Sequence, residues 1–407
     1  MIYIHVPFCR SFCTYCGFYS EVCRDAAATG AYVKDLCAEA ASRSEEIRAT
    51  RETDTLYIGG GTPSVLPLSA LQALVEAVRT AGGYEAGHLF EEFTIEVNPE
   101  DIVEKGAEYA RGLRSLGADR ISMGIQSFDD GLLRWMNRRH TAARAVTAMD
   151  ILRSAGFSNI SIDLIFGISL QSEEAWERTL DQALALSPEH ISAYQLSVEE
   201  GSALAAQIES GLYAEAADEQ CRERYARLCR RLAEAGYHHY EISNFARPGF
   251  EARHNSAYWR RVPYVGLGPG AHSFLVRPAV HDKGDRADAA ATEENFASRA
   301  TAGQVRRWNS ESPAGWTVSE ERLTAEDIRV ETLMLGLRTD RGLPAGQLFS
   351  LAEPDTMQRL LTEGALAYVP DPADVSAPES DSGGAERRIR IPEDRFFISD
   401  EIIRELL

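Results

Sequence analysis

The first half of the chain alternates short, β-branched apolar runs with longer stretches in which apolar positions recur every three or four residues. Runs at 2–6, 55–58, 93–97, 120–124, 160–166 and 190–194 predict strands, and stretches at 32–48, 68–81, 106–116, 142–155 and 173–186 predict amphipathic helices. Strand–helix repetition of this kind predicts a parallel sheet with right-handed crossovers. Periodicity does not separate an open doubly wound sheet from a barrel. A further helical stretch, 215–235, follows the sixth strand and is expected to close that unit.

The second half is less regular. Residues 240–242, the block around His254 and a glycine-rich turn near Gly266 come next, and 281–294 is polar enough to read as a surface loop. A new helical pattern starts near Thr324 (Ile328, Leu333, Met334, Leu337), with a second helix at 357–363. Short strands at 367–369 and 389–391 flank the stretch 371–388, which lacks the apolar content to order itself and reads as a mobile insertion. Residues 395–398 and a final helical turn complete the chain. The expected organisation is a core of residues 1–236, a connecting region 237–320 and a small domain 321–407.

Composition narrows the function. With 407 residues, 44% of them hydrophobic, the chain can bury one large core and a smaller one. A net charge of −20 argues against a general nucleic-acid binder, which needs a basic footprint. No uncharged apolar run reaches the roughly 18 residues of a membrane span. The first residues enter a strand without the basic and apolar regions of a signal peptide. The expected location is cytoplasmic, where reducing conditions suit free thiols.

The candidate chemistry concentrates in Cys9, Cys13 and Cys16, spaced C-x3-C-x2-C directly after the first strand and Pro7. Thiolates are the usual ligands of iron–sulfur clusters. Three of them leave one iron of a four-iron cubane without a protein ligand, and an open position marks a reactive site rather than a structural one. Zinc is the poorer alternative: structural zinc wants a fourth nearby Cys or His, and His5 sits inside the strand. A disulfide framework fits neither the odd total of seven cysteines nor the missing secretory signal. Cys37 and Cys229 fall in helical patterns and read as small core residues.

Gly59-Gly60-Gly61-Thr62-Pro63-Ser64, after the second strand, either brings bare backbone against a ligand or makes a tight turn. Glu96, Gln126, Arg138 and Asp163 stand near later strand ends, where a barrel interior would otherwise be apolar. A ligand or a private salt-bridge network would account for them. His254, in His254-Asn255-Ser256-Ala257-Tyr258-Trp259, reads alone as a packed core histidine. A neutral imidazole also ligates heme iron, and the neighbouring aromatics offer flat apolar surface. His272 follows in a second glycine-rich block, 266–273.

Taken together, the run from Tyr3 to Cys9, the loop ending Cys16-Gly17-Phe18 and the GGGTP segment resemble radical S-adenosylmethionine (SAM) proteins. The similar branch holds the oxygen-independent coproporphyrinogen III oxidases and related heme chaperones. The resemblance implies an α/β fold, a partial (β/α)6 radical SAM barrel with a smaller C-terminal α+β domain, with chemistry at the C-terminal strand ends. It implies a [4Fe–4S] cluster on Cys9, Cys13 and Cys16, whose open iron chelates the amino and carboxylate groups of SAM. An electron from the cluster then breaks the S–C5′ bond, giving methionine and a 5′-deoxyadenosyl radical. The resemblance assigns Tyr3, Tyr15, Gly60 and Glu96 to that SAM and counts Cys16 and Gly17 with the cofactor-binding loop. It places Gly61, Thr62, Gln126, Arg138 and Asp163 around a second SAM-like pocket.

Within the branch, three features favour a chaperone. Phe18 replaces the fourth cysteine of the oxidases, no N-terminal extension precedes the strand, and residues 254–259 match the chaperones' HNxxYW signature. That signature makes His254 the expected heme contact. The implied function is to bind the cluster, SAM and heme and to pass heme to an acceptor such as a respiratory hemoprotein, without coproporphyrinogen III oxidase activity. The alternatives are a SAM-dependent coproporphyrinogen III dehydrogenase, which oxidatively decarboxylates propionates, and a radical SAM enzyme with an unrelated substrate. Gly167-Ile168-Ser169 stands where the family has Gly-Leu-Pro and is expected to loosen a turn.

Overall fold

In the computed structural model, which describes residues 1–23, 25–85, 87–277, 303–312, 315–369 and 387–407, the six predicted strands form the heart of one nine-stranded sheet. They are β1 (Ile2–Val6), β2 (Thr55–Gly60), β3 (Glu92–Val97), β4 (Arg120–Gln126), β5 (Ile160–Phe166) and β6 (His190–Gln195). Three more strands extend it: β7 (His238–Glu241), β8 (Asn244–Ala246) and β9 (Val265–Leu267). The order is β9-β1-β2-β3-β4-β5-β6-β8-β7. Neighbours from β9 to β6 run parallel, while β8 is antiparallel to β6 and β7. The edges β9 and β7 do not pair with each other, so the barrel is a partial one.

Side-chain alternation gives the strands two faces. Ile2, Ile4, Leu56, Ile58, Phe93 and Ile95 are fully buried in the core shared with the helices, each burial contributing about 1.5–3 kcal/mol. Tyr57, Glu96, Ser122, Asp163 and Ser192 occupy the opposite parity and line an interior cavity. The covering helices are α1 (Ala26–Ser42), α2 (Leu68–Gly82), α3 (Pro99–Ser115), α4 (Ala142–Ser154), α5 (Glu173–Ala185) and α6 (Asp218–Glu234). Helix α1 packs on α2, α3 on α4 and α5 on α6.

Local chemistry explains where the elements depart from the sequence pattern. Helix α3 begins seven residues before its apolar repeat because the Asn98 side chain accepts the Glu100 N–H and Pro99 fits the first turn. Gly106, at φ 70°, kinks it and interrupts the periodicity. The pattern at 32–48 resolves into α1 and a short helix, Ser44–Ala49. The turn after β5 is tied rather than loosened: Ser169 donates from Oγ to the Ala214 carbonyl at 2.6 Å and from N to the Tyr213 hydroxyl at 3.1 Å.

The glycine-rich block near Gly266 is not only a turn. Its first residues form β9, and a Cβ at Gly266 would collide with the His272 carbonyl. Gly268 and Gly270 adopt positive φ and lead into β10 (His272–Val276), which forms an antiparallel sheet with β11 (Gln304–Asn309) and β12 (Val318–Arg322). A short helix, α7 (Arg253–Trp259), carries the HNxxYW segment.

The C-terminal part starts at helix Ala325–Gly336, opened by a capping box between Thr324 and Asp327. It adds the small antiparallel sheet of Leu343–Pro344, Arg388–Arg390 and Ala367–Val369 and the helices Pro354–Thr362 and Ser399–Leu406. The loop expected at 281–294, and the insertion expected at 371–388 apart from its last two residues, lie outside the described residues. Among the described residues no helix is long and apolar enough to cross a membrane.

Candidate functional site

The inner faces of β2 to β6, from Arg120, Ser161 and His190 at the strand starts to Gly60, Gln126 and Gln195 at the ends, line a cavity of about 500 Å³ together with the cysteine loop. The loop is anchored at several points. Phe8–Cys9 pairs with Glu21–Val22, the Thr14 hydroxyl donates to the Trp135 carbonyl at 2.8 Å, and the Asn137 amide donates to the Phe12 carbonyl at 2.6 Å. Cys9, Cys13 and Cys16 are free, partly buried and all line the cavity.

The Thr62 hydroxyl lies 3.4 Å from the Cys9 sulfur, and Arg138 Nη1 donates to the Cys13 sulfur at 3.3 Å. Burial raises the Cys9 thiol and pushes Cys16 up to about 11. These values belong to bare thiols; a coordinated metal deprotonates them outright. Among the described residues no three His, Cys, Asp or Glu side chains converge on a single ion, which disfavours zinc. Thiolates around a cubane bind separate irons and need no common point, so the donor set fits a cluster.

The glycine segment is shaped by close approach. Gly60 has φ +111°, and its N–H donates to Glu96 Oε2 at 3.1 Å. A Cβ on Gly61 would stand 2.9 Å from the Phe8 carbonyl oxygen and 3.1 Å from the Cys9 sulfur. Backbone therefore lies directly against the cysteine loop.

Glu96 also accepts the Tyr57 hydroxyl at 2.7 Å. Burial, with the charge of Asp163 added, lifts its carboxyl to about 7 against the pull of these two donors. Asp163 is likewise raised by burial, while the Ser122 hydroxyl lies 3.3 and 3.4 Å from its two oxygens. Arg138 donates from Nη2 to the Gly124 carbonyl, and its Nε is buried without a partner. Gln126 sits at φ +70° beside the register shift between β4 and β5. Among the described residues these four side chains form no ion pair with one another, so the private-network explanation fails. All four line the cavity, as do Tyr15, Gly17, Gly60, Gly61 and Thr62. A wall with two carboxyls and a guanidinium can hold a ligand carrying both an amino and a carboxylate group.

Several lining residues carry no motif: Tyr57, Ser122, His190, Ser192 and Tyr194. Their signal is polarity at alternate positions of otherwise apolar parallel strands. Two expected site residues lie elsewhere. Tyr3 lines a second cavity of about 380 Å³, with its hydroxyl 3.1 Å from His5 Nδ1. His254 is fully buried and lines neither cavity. Its Nδ1 is 2.8 Å from the Thr55 hydroxyl, its Nε2 is 3.0 Å from the Tyr258 hydroxyl, and its backbone N–H donates to Glu92. Burial lowers its pKa to about 3. Helix α7 thus presents Asn255 to the large cavity and Tyr258 to the small one, with His254 packed beneath.

Residues 3–183 match the radical SAM superfamily. The chain is 33% identical over 365 residues to the heme chaperone HemW of a Synechocystis strain, covering 88% of this chain and 83% of that protein. It is 32% identical over 379 residues to HemW of Mycobacterium tuberculosis, covering 90% and 88%. Similarity extends to the mitochondrial radical S-adenosyl methionine domain-containing protein 1 of Danio rerio, at 30% identity over 84% of this chain and 73% of that one. The fold is that of the Escherichia coli coproporphyrinogen III oxidase HemN, a radical SAM enzyme, with a TM-score of 0.72, 20% identity and coverage of 100% and 89%.

Proposed function

We propose that this chain, which belongs to the HemW family of the radical SAM superfamily, is a cytoplasmic heme chaperone. It carries a [4Fe–4S] cluster and SAM, binds heme and passes it to an acceptor hemoprotein. The observation that carries the reading is the meeting of three free thiols and a glycine segment at one cavity. Cys9, Cys13 and Cys16 would hold the cluster. When bound, the cluster supplies an open iron position and an electron.

The chain's own residues do the positioning. Gly60 and Gly61 bring backbone against the cysteine loop, and Glu96, oriented by Tyr57 and Gly60, offers a carboxyl to the SAM ammonium group. A cation beside Glu96 favours its ionised form, so binding near neutral pH releases a proton. Tyr15, Gly17, Thr62, Gln126, Arg138 and Asp163 complete the wall, with Arg138 and Asp163 available to a second ligand of SAM-like polarity.

The test is anaerobic reconstitution followed by parallel assays of heme binding, heme transfer to an apo-hemoprotein and coproporphyrinogen III turnover. Heme binding and transfer without turnover are expected. Protoporphyrinogen formation by the reduced, SAM-supplied protein would overturn the reading.

A further inference from the structure

We propose that heme docks in the smaller cavity with His272 as the axial ligand of its iron; this rests on the heme-chaperone reading above and deepens it. The cavity, about 380 Å³, is lined by Tyr3, Phe18, Tyr19, Tyr258, Tyr264 and His272, with His5, Gly17, Gly270 and Glu311. That volume lies within the roughly 300–1,000 Å³ of sites for organic ligands.

The histidines differ in what their rings can offer. Both ring nitrogens of His254 are engaged, by Thr55 and Tyr258. Both nitrogens of His5 are engaged as well, Nδ1 by the Tyr3 hydroxyl at 3.1 Å and Nε2 by the Tyr19 carbonyl at 2.9 Å. The His272 ring is exposed and has no hydrogen-bond partner among the described residues. It is the histidine at this cavity whose lone pair needs no bond broken before it meets iron.

The surroundings suit a flat apolar macrocycle. Tyr258 and Tyr264 meet edge to face, with ring centroids 4.7 Å apart, and Tyr19 stacks on His5 at 6.3 Å. Phe18 is 74% exposed, a large apolar ring left in water unless something covers it. Gly270, at φ +72°, keeps the floor open: a Cβ there would stand 3.2 Å from the Tyr19 Cβ and 3.3 Å from its ring. Porphyrin brings four nitrogen ligands of its own, so one protein donor suffices and no protein cluster of three ligands is required. Gly17 and Phe18 line both cavities, which sets this site directly behind the cysteine loop.

The experiment uses the cluster-loaded full chain under anaerobic conditions with ferric heme as the probe. Heme titration and the ferric-heme EPR signal are read for the parent protein, His272→Ala, His254→Ala and Phe18→Glu. His272→Ala is expected to shift the Soret band, change the heme spin state and weaken binding about tenfold or more. Added imidazole should restore the parent signal in that variant. Phe18→Glu should weaken binding without changing the ligand signature. An unchanged EPR signal in folded His272→Ala protein would overturn the site while leaving the chaperone reading intact. Absence of heme binding by the parent protein would overturn the chaperone reading itself.

Discussion

Arg138 donates a hydrogen bond to the sulfur of Cys13 at 3.3 Å, although 125 positions separate them in sequence. The same guanidinium charge favours the thiolates of Cys9 and Cys16 against the burial that raises both thiols, and thiolate is the form that binds iron. Arg138→Gln keeps donors but removes the charge. Cluster loading should then require a reconstitution pH higher by roughly one unit, with Arg138→Lys in between. Cluster absorbance against reconstitution pH is the measurement, and superimposable profiles would refute the coupling.

Single Ala replacements of Cys9, Cys13 and Cys16 should each abolish the visible absorption of the cluster. Cys229→Ala and Cys221→Ala should load fully; the latter sulfur is buried, and its removal should cost about 1 kcal/mol of stability. Full loading in Cys13→Ala would sink the ligand assignment.

Glu96 gives a stability signature with a definite sign. Its folded pKa, about 7, lies above the ordinary value of 4.5, so the folded state holds the proton more tightly. The contribution is fully present below the ordinary pKa and is lost as pH rises from there through 7. Glu96→Gln should therefore raise the stability of ligand-free protein at pH 8, by up to roughly 3 kcal/mol, while weakening SAM binding. Denaturant unfolding at pH 5 and pH 8, paired with SAM titration, separates the two effects. Equal stability of both proteins at pH 8 would count against the raised pKa.

Gly60→Ala combines a positive φ with a methyl group 2.8 Å from the His5 ring. Ligand-free protein should lose about 1–3 kcal/mol, measured by urea unfolding before any SAM is added. Wild-type stability would show that the turn relaxes and that Gly60 serves the ligand alone.

His254→Ala removes the partner of the buried Thr55 hydroxyl and of the part-buried Tyr258 hydroxyl. A loss of about 2–4 kcal/mol is expected. A variant as stable as the parent would mean that these contacts contribute nothing net.

The strands and most helices were legible because apolar alternation and the three-to-four repeat survive in them. The first turns of helix α3 were not, since Asn98-Pro99 sets its start and Gly106 interrupts its repeat. Strand β9 hid inside a glycine-rich block because Gly266 serves close packing against the His272 backbone, a tertiary demand with no local signature. At the site, the cysteines, glycines and strand-end polar residues could be read from type and spacing. Tyr57 and Ser122 could not, because a single polar residue on the inner face of a strand gains meaning only when its neighbours' register is known. His254 shows the converse: its motif was plain, but sequence carries no information on whether its nitrogens are already occupied.

The position of β1 has a consequence for biosynthesis. Its neighbours are β2 and β9, so the strand that leads into the cysteine loop is completed on one side by residues 55–60 and on the other only by residues 265–267. A ribosome adding about 5–20 residues per second takes many seconds to cover that interval. Throughout it the nascent chain carries Cys9, Cys13 and Cys16 in a loop that follows a strand paired along one edge only. The second edge of β1 is therefore covered only once residues 265–267 have emerged, and thiols left unmetallated until then depend on the reducing power of their surroundings.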